Sequence, residues 1–246
     1  MTGAPDPLAG YPVTAPALPP PVWADQFWED LTFVHWPVRP EQVAPLIPRG
    51  TRPDVYDGMT YVALVPFVMR YTRLGGSPAL PYFGAFAETN VRLYSIDDDG
   101  RHGVVFLSLE TARLAVVPVT RAVLGVNYTW AKMRVTRAGP QIDYTSVRRW
   151  PDAGLRSALR VTIGQPVEPT PLEIWLTARW GAHTRKAGHT WWVPNEHGPW
   201  PLYEAEIMEL RDDLVPAAIT VPVGEHLRPL FSPGVRSRFG RPSLVG

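Results

Sequence analysis

The alternation of polar and apolar residues over residues 86–94 is typical of a β-strand. This run is rich in aromatic and β-branched residues and precedes an Asp-rich turn that ends at Gly100. Successive side chains of a strand point to opposite faces of the sheet. One predicted face therefore carries an unbroken polar row, which consists of Glu88, Asn90, Arg92 and Tyr94.

The predicted strands before and after this run, at residues 61–71 and 103–110, are apolar on both faces. A strand that is apolar on both faces is covered on both sides. A polar row between two such strands is therefore expected to line an interior cavity. The alternative is an ordinary antiparallel strand whose polar face is solvated.

Turn residues and short patterns predict the remaining elements. A helix that ends at Gly125 is predicted over residues 112–124. A capping box formed by Thr170 and Glu173, with Pro171 between them, predicts a second helix that runs to about Trp180. The other predicted elements are a short helix at residues 40–46 and strands at residues 130–137, 142–150, 159–163, 190–193 and 203–210.

The order of these elements predicts an α+β fold that is mainly β. Strands and helices do not alternate, so a doubly wound parallel sheet is not expected. A closed or nearly closed antiparallel barrel or sandwich with a few short helices fits the pattern, and such a barrel can hold a central cavity. Composition predicts a Pro-rich flexible arm at residues 1–22, one domain at residues 23–225 and a peripheral, basic, Pro-containing tail at residues 226–246.

Composition excludes several classes of protein. Charged residues make up 19% of the 246 residues and the net charge is +1, so no clustered basic surface for nucleic acid is expected. The chain has no cysteine, which rules out disulfides, thiolate catalysis and Cys-ligated metals. No apolar run approaches the ~20 residues of a membrane span, and no secretion signal is recognised. A cytoplasmic location is therefore expected.

Common cofactor and nucleophile motifs are missing from the sequence. There is no GxGxxG, no phosphate-binding loop and no GxSxG elbow. The six histidines show no metal-ligand spacing, so neither a metal nor a cofactor is expected. Only two lysines, Lys132 and Lys186, are available for imine chemistry.

Several polar residues are candidates for acid–base or binding roles. Glu88 could act as a base, as an orienting group or as one half of a structural ion pair with Arg92. His35 could exchange a proton near neutral pH, or it could be a core histidine bonded to backbone. Arg113 and Arg121 flank an apolar stretch and could bind a substrate carboxylate, or they could be surface arginines.

An ordered set of motifs resembles the YqjF-like family of conserved bacterial proteins. The motifs are Trp28-x-x-Leu31-x-Phe33-x-His35-Trp36-Pro37-Val38, Leu46-Ile47-Pro48-x-Gly50, Val65-Pro66-Phe67, Phe86-x-Glu88-x-Asn90-Val91-Arg92-x-Tyr94, Asn127-Tyr128-x-x-Ala131 and Pro199-Trp200-Pro201-Leu202. This family is held to resemble acetoacetate decarboxylase in fold. The resemblance implies a cone-like β-barrel with an internal cavity that assembles into homo-oligomers.

The resemblance also implies where the chemistry departs from that of the decarboxylase. The decarboxylase forms an imine through a lysine in a Gly-Phe-Pro-Lys-Lys segment and also uses a strand glutamate, to which Glu88 corresponds. Tyr128 and Thr129 stand at the two lysine positions here, which argues against imine chemistry. Lys132 lies an odd number of residues beyond Thr129 and is expected on the opposite strand face.

Together these observations predict an enzyme that acts on a carbonyl-bearing metabolite by general acid–base chemistry. The reaction would be of lyase, cyclase or isomerase type, and a role in secondary metabolism is expected. The predicted catalytic residues are Glu88, Arg92, Tyr128 and His35. The predicted substrate-binding residues are Asn90, Trp36, Arg113, Arg121, Trp130 and Lys132, with Trp191 as a further apolar wall. The alternatives are a non-catalytic protein that binds a carbonyl or carboxylate ligand, a Schiff-base enzyme using Lys132, and a fold member in which the Glu88–Arg92 pair is only structural.

Overall fold

Strands dominate the computed structural model, which describes residues 8–78, 84–219 and 224–246. The strands are β1 Ala24–Val38, β2 Thr51–Pro53, β3 Thr60–Leu74, β4 Ala85–Asp97, β5 His102–Thr111, β6 Tyr128–Ala138, β7 Gln141–Trp150, β8 Arg156–Pro166, β9 Gly181–Lys186, β10 His189–His197, β11 Tyr203–Asp212, β12 Leu230–Phe239 and β13 Ser243–Leu244. The helices are α1 Pro40–Val43, α2 Val116–Leu124, α3 Pro171–Thr177 and α4 Leu214–Ala218, and a 3-10 turn covers Ala44–Leu46. The glycines and prolines of residues 74–85 predict a loop, which lies partly outside the described residues.

The sheet closes on itself twice. Pairing runs in the order β4-β5-β6-β7-β8-β11-β12-β1-β3 and returns to β4, which forms a nine-strand ring. Pairing of β5 with β9, and of β10 with β12, closes a seven-strand ring through β4, β5, β9, β10, β12, β1 and β3. All strand pairs are antiparallel except β5 with β6 and β5 with β9. The predicted mainly β barrel is confirmed, and the double closure adds a second interior to it.

Strand β4 separates the two interiors. Val91 and Leu93 pack in one core cluster, together with residues of β7 and β8, which belong only to the nine-strand ring. Phe86 and Tyr94 pack in the other cluster, which includes Ala182 of the seven-strand ring. Alternation along the strand therefore turns the polar row toward the seven-strand interior, as predicted from its apolar neighbours.

The two longer predicted helices form, with small differences in extent. Helix α2 begins at Val116 because the segment before it bonds to strand β4, and Pro118 lies in the first turn, where its missing N–H is tolerated. It ends at Gly125, which has a φ of +66°. Helix α3 ends at Thr177 and not at Trp180, because Ala178 leaves the helical conformation with ψ of 76°.

The predicted capping box at α3 is complete. Thr170 Oγ1 accepts a hydrogen bond of 3.3 Å from the Glu173 N–H, and Glu173 Oε2 accepts one of 2.8 Å from the Thr170 N–H. Replacing Thr170 by alanine is expected to lower the free energy of unfolding by about 1 kcal/mol, because one helix N–H loses its partner. Urea unfolding measures the loss, with Thr136→Ala on the exposed part of β6 as control. Equal losses in both variants would contradict the assigned cap.

The two ends of the chain pack differently from the prediction. The arm is held where Tyr11 Oη donates to the Ala178 carbonyl at 2.6 Å and Trp180 Nε1 donates to the Pro12 carbonyl at 2.5 Å. The prediction of a peripheral C-terminal tail is wrong for residues 230–239, which form β12 between β11 and β1. Leu230 and Phe231 are buried there. The arginines of this strand masked its strand pattern, although they lie at the surface and pair with acidic residues.

None of the helices in the described ranges combines the length and the hydrophobicity that a membrane crossing requires.

Candidate active site

Glu88 lies buried on β4 with a phenol as its hydrogen-bond partner. Glu88 is 3% exposed, and Tyr128 Oη donates a hydrogen bond to Glu88 Oε2 at 3.0 Å. Burial raises the pKa of Glu88 to about 8, and the Tyr128 hydrogen bond opposes this only in part. Burial, and then the Glu88 charge, raise the pKa of Tyr128 well above its usual value. The pair therefore holds a carboxylic acid that keeps its proton at neutral pH.

Strand β5 explains how these two residues meet. It lies between β4 and β6, so that Asn90 and Tyr128 are both register partners of Leu109. Tyr128 begins β6 directly after the turn at Gly125. Its side chain can therefore reach across β5 to Glu88, which lies one alternation step before Asn90.

Arg92 is a cation in the seven-strand interior that forms no ion pair with any described residue. Its NH2 group donates to Tyr94 Oη at 3.3 Å and to the Leu176 carbonyl at 3.4 Å. The guanidinium lies 5.7 Å from the ring centre of Phe33. The expected structural pair between Arg92 and Glu88 is wrong, because Glu88 bonds to Tyr128 instead.

Three buried polar atoms of this interior lack a hydrogen-bond partner among the described residues. They are Asn90 Oδ1, Arg92 Nε and Trp28 Nε1. Buried polar atoms are nearly always hydrogen-bonded in folded proteins. The free donors are Arg92 Nε and Trp28 Nε1, and the free acceptor is Asn90 Oδ1. A polar, anionic ligand beside the Arg92 guanidinium would supply the missing hydrogen-bond partners.

His35 supports this interior from behind. It is 2% exposed, and its Nε2 lies 2.7 Å from Tyr94 Oη. Arg92 donates to the same Tyr94 oxygen at 3.3 Å, so Tyr94 links His35 to Arg92. Burial, and then the nearby charge of Arg92, hold the pKa of His35 well below its usual value. This lowered pKa does not support the predicted proton exchange by His35 near neutral pH.

The predicted arginines Arg113 and Arg121 bind backbone and not a ligand. Arg113 NH2 donates to the Ala85 carbonyl at 3.1 Å, and Arg121 Nε donates to the Tyr128 carbonyl at 2.7 Å. The prediction that they hold a substrate carboxylate is therefore not supported. Their position beside an apolar stretch did not show that their partners are backbone carbonyls.

The other predicted binding residues lie elsewhere. Lys132 is exposed on β6, on the face opposite Thr129, as its spacing predicted, so an imine at a buried Lys132 is wrong. Trp36 packs in the core of the nine-strand ring, because it alternates with His35 along β1. Trp130 lies under Arg149, and Trp191 pairs with β13 at the sheet edge.

The aromatic wall of the seven-strand interior comes from motif residues to which the sequence analysis gave no role in the site. Trp28 and Trp200 stack with ring centres 5.9 Å apart, and Phe33 meets Trp200 edge-on at 5.2 Å. His197 packs 4.8 Å from Trp200 and donates from Nδ1 to the Gly198 carbonyl. Burial lowers the pKa of His197 to about 4. Alternation along β1 could have identified Phe33 as a neighbour of His35. Trp28 lies an odd number of residues from both, and it shares their face only because β1 is irregular between Glu29 and Val34.

A cavity of about 460 Å³ lies beside this wall, beneath the arm. Its lining includes Val13 and Ala15 of the arm, and Trp180, His197 and Pro199 of the body. His197 thus contacts the cavity on one side and the aromatic wall on the other. His197 is therefore the residue that relates this cavity to the aromatic wall.

A second cluster has the spacing of a nucleophile triad but lies sealed in the core. Ser95 Oγ is 2.8 Å from His183 Nδ1, and Asp97 Oδ2 is 3.0 Å from His183 Nε2. All three residues are at most 1% exposed. Asp97 also accepts a 2.6 Å hydrogen bond from Arg101. A serine without access to substrate cannot act as a nucleophile, so this cluster is structural.

Within the described ranges, no group of three or more metal-binding side chains is close enough to hold an ion.

The sequence is similar to a family of conserved proteins. The model of DUF2071, described as an uncharacterized conserved protein, matches residues 25–236. The uncharacterized protein YqjF of Bacillus subtilis (strain 168) is 30% identical over 193 residues, which cover 77% of this chain and 79% of YqjF. The resemblance that the motifs predicted is confirmed.

Comparison with solved structures gives similar folds at low identity. The enduracididine biosynthesis enzyme MppR complexed with pyruvate has a TM-score of 0.64 at 13% identity and covers 93% of this chain and 92% of its own. An acetoacetate decarboxylase-like enzyme from Sphingomonas wittichii RW1 has a TM-score of 0.64 at 14% identity, with coverages of 92% and 94%. Acetoacetate decarboxylase from Legionella pneumophila has a TM-score of 0.63 at 11% identity, with coverages of 100% and 98%. These similarities establish the fold.

Proposed function

The chain belongs to the DUF2071 family of uncharacterized conserved proteins, and we propose that this member is an enzyme that acts on a small oxo acid. Acid–base chemistry would take place at Glu88, with Arg92 as the anchor of the substrate carboxylate. The observation that carries the proposal is a buried, protonated carboxyl group in the same interior as an unpaired guanidinium. The reaction would be of lyase, cyclase or isomerase type.

Substrate binding would complete the bonding of the free polar atoms. A carboxylate accepts charge-assisted hydrogen bonds from the Arg92 guanidinium, whose Nε is free. Trp28 Nε1 donates a further hydrogen bond to the same anion or to a neighbouring carbonyl oxygen. Asn90 Oδ1 accepts one from a hydroxyl or enol group of the ligand. The aromatic wall of Trp28, Phe33 and Trp200 encloses the apolar part, as ligand sites usually require.

Proton transfer would then be the task of Glu88. A carboxylic acid whose pKa is near 8 is a suitable general acid at neutral pH. When a 3-oxo acid loses CO2, the electron pair of the broken C–C bond stays on the substrate as an enolate, and Glu88 gives its proton to the enolate carbon or oxygen. Tyr128 donates its hydrogen bond to the carboxylate that remains and so stabilises it. An enolate of this kind is common to decarboxylation, aldol-type condensation and isomerisation.

The proposal uses no imine. Lys132 is exposed on β6, and Lys186 donates to the carbonyl of Val123 at the end of α2. The structural relative MppR is complexed with pyruvate, which makes 2-oxo acids the first compounds to test. The cytoplasmic location, the homo-oligomeric assembly and the role in secondary metabolism remain predictions.

The test is binding and turnover of pyruvate and of a series of 2-oxo and 3-oxo acids. A ligand at about 100 times its Kd adds about 2.7 kcal/mol to stability, which a melting curve detects. Arg92→Gln is expected to abolish this stabilisation, because the carboxylate loses its cation. Arg134→Gln, on the exposed part of β6, serves as the matched control and should bind like the wild type.

Three outcomes are distinguishable. Binding that depends on Arg92, together with consumption of the acid, supports the enzyme. Binding that depends on Arg92 without any chemical change in the acid would favour the non-catalytic binding protein instead. An absence of stabilisation and of turnover across the whole series would overturn the proposal.

A further inference from the structure

The residues around α2 touch both strands that carry the acid–phenol pair. We propose that this segment, residues 112–125, is a bracket that fixes the separation of Glu88 and Tyr128, and that Arg121 is its main positioning residue. The inference rests on the proposed function of the pair. The segment would affect the ionisation of Glu88 indirectly, by positioning Tyr128, because none of its own side chains bonds to the Glu88 carboxyl group.

One side of the bracket holds Tyr128. Arg121 lies in the last turn of α2, and its Nε donates to the Tyr128 carbonyl at 2.7 Å. The guanidinium also lies 4.9 Å from the ring centre of Trp150, which fixes its plane. The backbone of the first residue of β6 is thus tied to the helix at the point from which the phenol extends.

The other side of the bracket holds the strand of Glu88. Arg113 NH2 donates to the Ala85 carbonyl at 3.1 Å, and the Ala112 N–H donates to the Ala87 carbonyl at 3.2 Å. Both acceptors lie in the three residues that precede Glu88 on β4. The segment therefore bonds to β4 immediately before the acid and to β6 at the phenol.

The position of the bracket is fixed because its C-terminal residue, Gly125, packs closely against Arg185 of β9. Gly125 adopts a φ of +66°, and a Cβ added there would lie 2.3 Å from the Arg185 carbonyl oxygen. Lys186 Nζ donates to the Val123 carbonyl at 2.9 Å and so caps the last turn of α2. Val117 of α2 is buried and anchors the first turn of the helix. A fixed helix can hold two strands in a set geometry, as catalytic groups require.

Titration of Glu88 tests the inference without any substrate. The chain has eleven glutamates, so ¹³C labelling of their side-chain carboxyls gives eleven NMR signals. The Glu88 signal is the one that titrates near pH 8 and is lost in Glu88→Gln. Tyr128→Phe removes a hydrogen bond that lowers this pKa, so the titration should move upward by roughly one pH unit or more.

Arg121→Gln is expected to move the Glu88 titration in the same direction, because a released Tyr128 bonds less well. In the double variant, Arg121→Gln should add nothing to the effect of Tyr128→Phe, since both act through one hydrogen bond. Arg121→Lys should fall between Arg121→Gln and the wild type. Arg149→Gln is the control, because Arg149 stacks on Trp130 of the same strand without bonding to Tyr128.

Two results would overturn the bracket: an unchanged Glu88 titration in a folded Arg121→Gln protein, or additive shifts in the double variant. Neither result depends on turnover. The bracket can therefore fail while the enzyme is active, and it can hold while no oxo acid reacts.

Discussion

Glu88→Gln is expected to raise the free energy of unfolding by about 3–5 kcal/mol at pH 9 and to change it little at pH 4. In the folded protein the carboxyl group keeps its proton up to about pH 8, whereas the ordinary value is 4.5. Between these two values the folded state binds more protons than the unfolded state. Stability therefore falls as the pH rises through this window, and the loss is complete above pH 8. Glutamine has no proton to lose and avoids it.

Urea unfolding of wild type and variant at pH 4, 6 and 9 measures this effect. The gain of the variant should grow with pH and level off above pH 8. Glu168→Gln, at an exposed position, is the matched control and should give the wild-type dependence. A gain that is the same at all three pH values would show that packing, and not ionisation, separates the two proteins.

The same substitution is expected to lower turnover of any accepted oxo acid by about 10²–10⁴-fold, the usual contribution of a general acid. Glutamine preserves shape and hydrogen bonding but cannot give up a proton. Binding through Arg92 should remain. Wild-type activity should fall above about pH 8, where Glu88 ionises. The combination of a more stable and less active protein is what a strained catalytic group predicts.

Arg148→Met is expected to lower the free energy of unfolding by about 3–5 kcal/mol, because it leaves the buried carboxylate of Glu110 without its cation. Arg148 Nε lies 3.1 Å from both oxygens of Glu110, whose side chain is 0% exposed. The double variant Glu110→Gln with Arg148→Met should recover most of the loss, since no charge then remains buried.

Urea unfolding at neutral pH gives the comparison for this pair. The control is Arg52→Met, which breaks the exposed pair with Asp98 and should cost less than about 1 kcal/mol. A small loss in Arg148→Met, or a double variant no better than the single one, would mean that Glu110 finds another partner or a proton.

Local patterns predicted much of the fold. The capping box at Thr170 needs only four consecutive residues, and α3 begins there as expected. The inward face of β4 followed from its apolar neighbours, so the residues that now line the site, Glu88, Asn90 and Arg92, were identified together. These inferences succeeded because each depends on residues close in the chain.

What remained hidden depends on pairing between distant segments. The seven-strand ring closes where β10 meets β12, about forty residues later in the chain, and nothing local announces this contact. Glu88 and Tyr128 are likewise forty residues apart and meet only because β5 lies between their strands. The backbone partners of Arg113 and Arg121 could not be read from the sequence either. A guanidinium that binds a distant carbonyl is indistinguishable in sequence from one that awaits a ligand.

The wall shared by the two rings couples their interiors. Strand β4 presents Val91 and Leu93 to one interior and the polar row to the other, so a larger side chain at Val91 is expected to displace the polar row in the seven-strand interior. The packing of the nine-strand core therefore affects the shape of the seven-strand interior. Under the proposed function, substitutions at residues that do not contact the substrate would therefore change the substrate preference.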